Sequence, residues 1–93
     1  MNRLNEMWAT LEAYLPQAVA KGHGKSWARM CEEKTANASD DAAVAAFAAD
    51  GAASAAAYTA SAATSIAAAS AAGADYWAQK AIGHIKNIKE KNS

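Results

Sequence analysis

The chain of 93 residues has a single proline, a single cysteine and no excess of charge of either sign. One thiol, Cys31, cannot form an internal disulfide, so no covalent staple within the chain can hold the fold. Nine Lys and Arg against nine Asp and Glu give a formal net charge of zero, so no overall field draws the chain to nucleic acid or to an anionic membrane. Large apolar side chains are also scarce. The apolar fraction is 53%, but 29 of those residues are alanine, each burying one methyl worth about 0.8 kcal/mol. A domain of this size buries only about 60 to 65% of its unfolded surface. A homo-oligomer or a protein-bound form is therefore the expected source of further burial. No apolar run is long enough for a membrane span, because Asp50, Ser54, Thr59, Ser61, Thr64, Ser65 and Ser70 interrupt the alanines. Glu6 and Glu12 break the amino-terminal apolar pattern, which does not read as a secretory leader, and a cytoplasmic location is expected.

Helical periodicity is what the sequence does have. Leu4, Met7, Trp8, Leu11, Tyr14 and Leu15 recur at three- and four-residue spacings, which predicts an amphipathic helix over 2–15. Pro16 is expected to end it or to open a new short turn over 17–21, leaving a turn region over 16–25 with Gly22 and Gly24 as flexible positions. Ser26 reads as the cap of a second helix over 26–38, with Trp27, Met30 and Cys31 on its inner side. Thr35, Asn37, Ser39, Asp40 and Asp41 favour caps over helix interiors, so a break near residues 35–41 is expected before a third helix over 40–90.

Between residues 42 and 74, 20 of 33 residues are alanine, the best helix former because it loses no side-chain freedom. The exceptions carry the information. Val44, Phe47, Gly51, Ala55, Tyr58, Ala62, Ile66, Ala69, Gly73 and Trp77 follow steps of 3, 4, 4, 3, 4, 4, 3, 4 and 4. Eleven residues make about three helical turns, so these positions would share one face of a nearly straight helix. Val44, Phe47, Gly51, Tyr58, Ala62, Ile66, Gly73 and Trp77 are accordingly the candidate helix-packing or interface residues. Leu at Ala62 should overfill that face, whereas Leu at Ala56 should be tolerated better. A bend near Gly73 or Gly83 would let Ile82, Ile85 and Ile88 meet a different neighbour.

The tract resembles the alanine-rich helical antifreeze proteins in composition and in its eleven-residue period. Those proteins repeat threonine on an exposed face. Here the threonines stand at Thr10, Thr35, Thr59 and Thr64, and the repeat phase is filled by Val, Phe, Tyr, Ile and Trp, a stripe suited to protein and not to ice.

No catalytic constellation emerges. Gly22-His23-Gly24-Lys25-Ser26 matches the end of a phosphate-binding loop, but Val19 stands where its first glycine belongs and no strand precedes it. His23, Cys31 and His84 lack metal-ligand spacing, and read as a surface loop histidine, a buried thiol and a helix histidine. Glu32-Glu33 and Asp40-Asp41 are neighbours on a helix and point about 100° apart. No serine is placed beside an Asp-His pair. Lys25, Trp27 and Arg29 form a candidate partner-binding patch, with Lys86, Lys89 and Lys91 as a second basic group.

The expected fold class is all-α, a small helical bundle or helical hairpin with one long alanine-rich helix and close helix-helix packing. The expected function is a non-enzymatic protein-protein interaction module, such as an adaptor, inhibitor or regulator, of the kind found among phage and mobile-element accessory proteins, with no cofactor, metal or membrane partner. A nucleic-acid-associated protein using the basic and aromatic patch is the alternative.

Overall fold

The computed structural model describes residues 3–91, with side chains through Ile88. Among the described residues the chain is all-α. Helices α1 (Arg3–Ala20), α2 (Gly24–Glu33), α3 (Ala36–Ala46), α4 (Gly51–Ile66) and α5 (Ala71–Lys91) follow one another. Each packs on the next, and α5 returns to α1 to close the circuit. The bundle measures 35 × 26 × 18 Å.

The amphipathic reading of α1 holds: Met7, Trp8, Leu11 and Tyr14 are buried, and Leu4 and Leu15 lean on the same core. Residue 2 lies outside the described residues. Pro16 does not end the helix, which continues to Ala20. A proline leaves the carbonyl four residues back without its helical partner, and that carbonyl belongs to the solvent-exposed Glu12. Buried Ala18 anchors the extra turn.

The turn after α1 is correspondingly tight. Gly22 has φ of +92°, a conformation that strains any residue with a Cβ. At Gly24 a Cβ would lie 2.8 Å from the Val19 Cα, so only glycine lets α2 start against the end of α1. The N-cap of α2 is His23, with no side-chain cap, and Ser26 lies inside the helix where it was expected to begin it. Trp27, Met30 and Cys31 are buried as the pattern predicts. Lys34 closes α2 in the left-handed conformation, its N–H donating to the Met30 carbonyl at 2.8 Å. Thr35 then caps α3, its hydroxyl accepting from the Ala38 amide at 3.2 Å. The break therefore comes at Lys34-Thr35, ahead of the expected boundary at residue 39, and Asp40 and Asp41 lie on the outside of α3.

The single long helix over 40–90 is not formed. It would run about 75 Å, twice the longest dimension of the molecule. The chain instead folds back at two turns built alike. The amides of Ala49 and Asp50 donate to the Ala46 carbonyl at 3.0 and 2.8 Å, and those of Ala69 and Ser70 to the Ile66 carbonyl at 3.0 and 2.9 Å. A short polar side chain then starts each following helix: Asp50 accepts from the Ala53 amide and Ser70 from the Gly73 amide. Such side chains offer the backbone an alternative to continuing the helix. Folding back also buries alanine faces against one another, which a lone extended helix cannot do. By contrast α5 runs unbroken through Gly73 and Gly83, and buries Ile82, Ile85 and Ile88.

The inner faces of α3, α4 and the first half of α5 are mostly alanine. Ala38, Ala42, Ala43 and Ala46 on α3, Ala53, Ala56, Ala57, Ala60 and Ala63 on α4, and Ala74, Ala78 and Ala81 on α5 are all buried. Helices that meet through methyl groups can approach closely. The Ser54 hydroxyl shows how closely, for its short side chain reaches across to donate to the Ala43 carbonyl of α3 at 2.8 Å. The expected stripe points the other way, and none of its residues is in the core.

Burial reverses the ranking expected for leucine in this tract, because Ala56 is fully enclosed and Ala62 only half-buried. Ala56→Leu should destabilise by about 1 to 3 kcal/mol and Ala62→Leu by less than half as much, read from urea unfolding midpoints at constant m.

Candidate functional site

Two groupings of side chains stand out, one internal and one external. The internal one joins the α1–α2 turn to the α3–α4 turn. Tyr14 donates its hydroxyl proton to Asp50 Oδ2 at 2.7 Å, and Lys21 Nζ reaches the same oxygen at 2.6 Å. Since the Tyr14 proton is committed to Asp50, its oxygen accepts from His23 Nε2 at 3.3 Å, which assigns the Nε2–H tautomer. His23 Nδ1 is buried without a hydrogen-bond partner, as suits an unprotonated nitrogen. The Trp27 ring packs on Tyr14 at 4.8 Å and edge-on to His23 at 5.7 Å between centroids, and its indole N–H donates to the Leu11 carbonyl.

The electrostatics follow from that enclosure. Burial pushes the His23 imidazole below its ordinary range; Asp50 opposes the shift and Lys21 adds to it. Burial also raises the Tyr14 phenol, helped by its hydrogen bond to Asp50. Burial alone would raise the Asp50 carboxyl, but hydrogen bonds from Lys21, Tyr14 and the Ala53 amide outweigh it and hold Asp50 below the usual carboxylate range. Tyr, His, Asp and Lys are the side chains of acid-base catalysis. Here, however, Tyr14 and His23 are enclosed and the hydroxyl is spent on Asp50, so the grouping works as a clamp between turns.

The external grouping consists of large apolar side chains on the outside. Val44 is 66% exposed, Phe47 73%, Tyr58 48%, Tyr76 55% and Trp77 38%. They lie on α3, in the turn after it, on α4 and on α5. Tyr76 and Trp77 contact edge to face at 5.2 Å, and Lys80 Nζ sits 5.3 Å over the Tyr76 ring. Tyr76, Gln79 and Lys80 line an open cleft of about 310 Å³.

The predicted site residues fall as follows. Val44, Phe47, Tyr58 and Trp77 face solvent, Gly51 opens α4 at the surface, and Ala62 is half-buried. Ile66 and Gly73 are brought together at the α4–α5 turn, where a Cβ on Gly73 would lie 3.0 Å from the Ile66 Cδ1. Of the stripe read as helix-packing or interface residues, Ile66 and Gly73 thus meet between α4 and α5, while the others lie outside the alanine interior. The patch of Lys25, Trp27 and Arg29 is corrected. Trp27 is wholly enclosed, and Arg29 pairs with Glu33 at 2.7 Å and Asp41 at 3.0 Å, leaving only Lys25 exposed and free of the cluster. His23 is interior and not a surface loop residue. Cys31 is buried as expected, and burial, with Glu12 nearby, pushes its thiol up to about 11. The side chains of Lys89 and Lys91 lie outside the described residues.

Sequence spacing missed the clamp because Tyr14 on α1, Lys21 and His23 in the turn after it, and Asp50 before α4 share no local period. Tyr76 was legible, for Tyr76, Lys80, Gly83 and Asn87 repeat at 4, 3 and 4 residues, but it falls outside the eleven-residue phase. Among the described residues no three His, Cys, Asp or Glu side chains converge as metal ligands, and no helix is long and apolar enough to cross a membrane. No family model, curated protein or solved structure matches the chain.

The clamp makes stability fall on acidification. His23 has a folded pKa below its unfolded value of about 6.5, so its contribution is whole above that pH and is lost as the unfolded chain takes up the proton below it. Asp50 adds a second loss as pH falls from the ordinary carboxylate range through its depressed folded value. Urea midpoints should be level from pH 7 to 8 and decline below about 6.5, and His23→Gln should remove the first decline. Asp50→Ala, which deletes a helix cap and two charge-assisted hydrogen bonds, should cost about 2 to 3 kcal/mol at neutral pH.

Proposed function

We propose that the protein is a non-enzymatic protein-protein interaction module, an adaptor, inhibitor or regulator that engages another protein through the aromatic side chains outside α3, α4 and α5. One observation carries this reading: the bundle lines the inner faces of α3, α4 and the first half of α5 mostly with alanine methyl groups while leaving Phe47, Tyr58, Tyr76 and Trp77 exposed. Burying a side chain of that size is worth about 1.5 to 3 kcal/mol, so their outward placement forgoes stability that a small fold can ill spare. A protein partner, another copy of the chain included, recovers that burial on binding. The nucleic-acid reading has lost the exposed aromatic it relied on in the Lys25, Trp27 and Arg29 patch.

The test compares the native chain with a Phe47→Ser, Tyr58→Ser, Trp77→Ser variant. Surface substitutions away from buried features change stability within about 0.5 kcal/mol each, so the variant should melt close to the native chain. Affinity capture from the native host, quantified by mass spectrometry, should enrich a defined protein that the variant loses at least about tenfold, the weight of a single hot spot. Equal capture by both forms, or none by either with no self-association in sedimentation velocity, contradicts the reading.

A further inference from the structure

Residues 51–74, which span α4 and the turn into α5, hold none of the nine Lys and Arg and none of the nine Asp and Glu of the chain. The other four helices each expose at least two charged side chains. Yet α4 is not an interior helix: Tyr58 and Ser65 are exposed along it, and Ala55, Ala62 and Ile66 are half-buried. Its two threonines add no polar handle, because each spends its hydroxyl proton within the helix, Thr59 on the Ala55 carbonyl at 2.6 Å and Thr64 on the Ala60 carbonyl at 2.8 Å. Soluble surfaces are ordinarily about a quarter to a third charged, so a charge-free outer face is a departure that the fold itself does not require.

The face continues onto α5. A Cβ at Gly73 would lie 3.0 Å from Ile66 Cδ1, so the Ile66 side chain reaches across the turn to α5. Tyr58, Ala62 and Ile66 follow at four-residue steps on α4, and Trp77 follows Gly73 at four on α5, so the two rows join at Ile66. Charge stands only at the edges. Lys80 lies over the Tyr76 ring one turn beyond Trp77, and Asp75 turns to α1, where it accepts from the Arg3 amide at 2.9 Å.

An interface between identical copies sets the same patch against itself, so every charge near the two-fold axis meets its like. A patch without charge escapes that repulsion. The chain as a whole adds none, since its formal net charge is zero, a balance that promotes association. A foreign partner chosen by charge would find nothing here to read. The interface cores of homodimers are likewise apolar and depleted of charge. Size sets the strength. A strip about 24 Å long and two helices, or about 20 Å, wide covers on the order of 1,000 Å² over two copies, at the lower bound of specific interfaces, where association is weak and reversible.

We propose that the outer face of α4, with Ile66, Gly73 and Trp77 at its α5 side, is the surface through which two copies of the chain pair. This rests on the interaction reading above and names the partner as a second copy. Pairing brings Tyr58 and Trp77 out of water in the complex and leaves the closed bundle of each copy unchanged.

Sedimentation velocity on the full chain, from about 1 µM to about 1 mM, tests it, with half-association expected on the order of 10 to 100 µM. The weight-average mass should climb from 9.6 kDa towards twice that. Ala62→Glu and Ala62→Lys should each weaken pairing at least about tenfold by setting like charges together, and an equimolar mixture of the two should pair better than either alone, which only contact between copies through this face allows. Tyr58→Lys should repeat the loss at a more exposed position, and Lys25→Glu on α2 should change nothing. Cooperative urea unfolding of each variant in dilute solution ties the loss to the face and not to folding. A mass that stays at 9.6 kDa up to about 1 mM, pairing indifferent to Ala62→Glu and Tyr58→Lys, or a mixture no better than its components overturns the proposal. A chain that stays monomeric yet captures a defined host protein through Phe47, Tyr58 and Trp77 removes this assignment alone and leaves the broader function standing.

Discussion

The carboxylate of Asp50 is the point on which the rest of the bundle turns. One oxygen caps α4 through the Ala53 amide, and the other receives Tyr14 and Lys21 from α1 and the turn beyond it. The same group therefore interrupts the alanine tract and ties the interruption to the opposite side of the fold. Without a cap at that position, helix propensity would favour carrying α3 on into α4. Once the chain has turned, the alanine faces of α3, α4 and α5 meet, and the second turn at Ser70 repeats the device with a hydroxyl in place of a carboxylate.

Interiors made of methyl groups change what the large side chains are for. In a bundle with wider helix spacing, Phe47, Tyr58 and Trp77 would be the filling. Here the spacing is too close for them, as the Ser54 hydroxyl bridging to α3 shows, and the filling of larger side chains is confined to α1, α2 and the later part of α5. Met7, Leu11, Tyr14, Trp27, Met30 and Ile85 form that second half of the core. The molecule thus joins a tightly spaced alanine layer to a more ordinary apolar core, and its outward aromatics belong to the alanine layer. The proposed binding role rests on that asymmetry, and the acid-base side chains that do converge are held in the clamp between Tyr14, Lys21, His23 and Asp50.

Much of the fold was legible in the residues, and the misreadings share a cause. The period of Leu4, Met7, Trp8 and Leu11 fixes the face of α1, and Trp27, Met30 and Cys31 that of α2, because large side chains distinguish inside from outside. Alanine does not. In the tract every register is equally well filled, so the few bulky residues define a face without saying whether it is the buried one. The eleven-residue phasing picked out a face that suited helix packing or an interface alike, and in the bundle most of that face is turned away from the core. Asp50 and Ser70 were visible as interruptions, but their effect as caps depends on Tyr14, Lys21 and packed alanines far away in sequence.

The central claim is that alanine is inside and the aromatic side chains of residues 47–77 are outside. Solvent paramagnetic relaxation enhancement of aromatic proton signals, recorded on the isolated chain at low protein concentration, tests it directly. Phe47, Tyr58, Tyr76 and Trp77 should relax strongly while Tyr14 and Trp27 are spared. Protection of Phe47, Tyr58 and Trp77 equal to that of Trp27 would place the stripe in the interior and contradict the account.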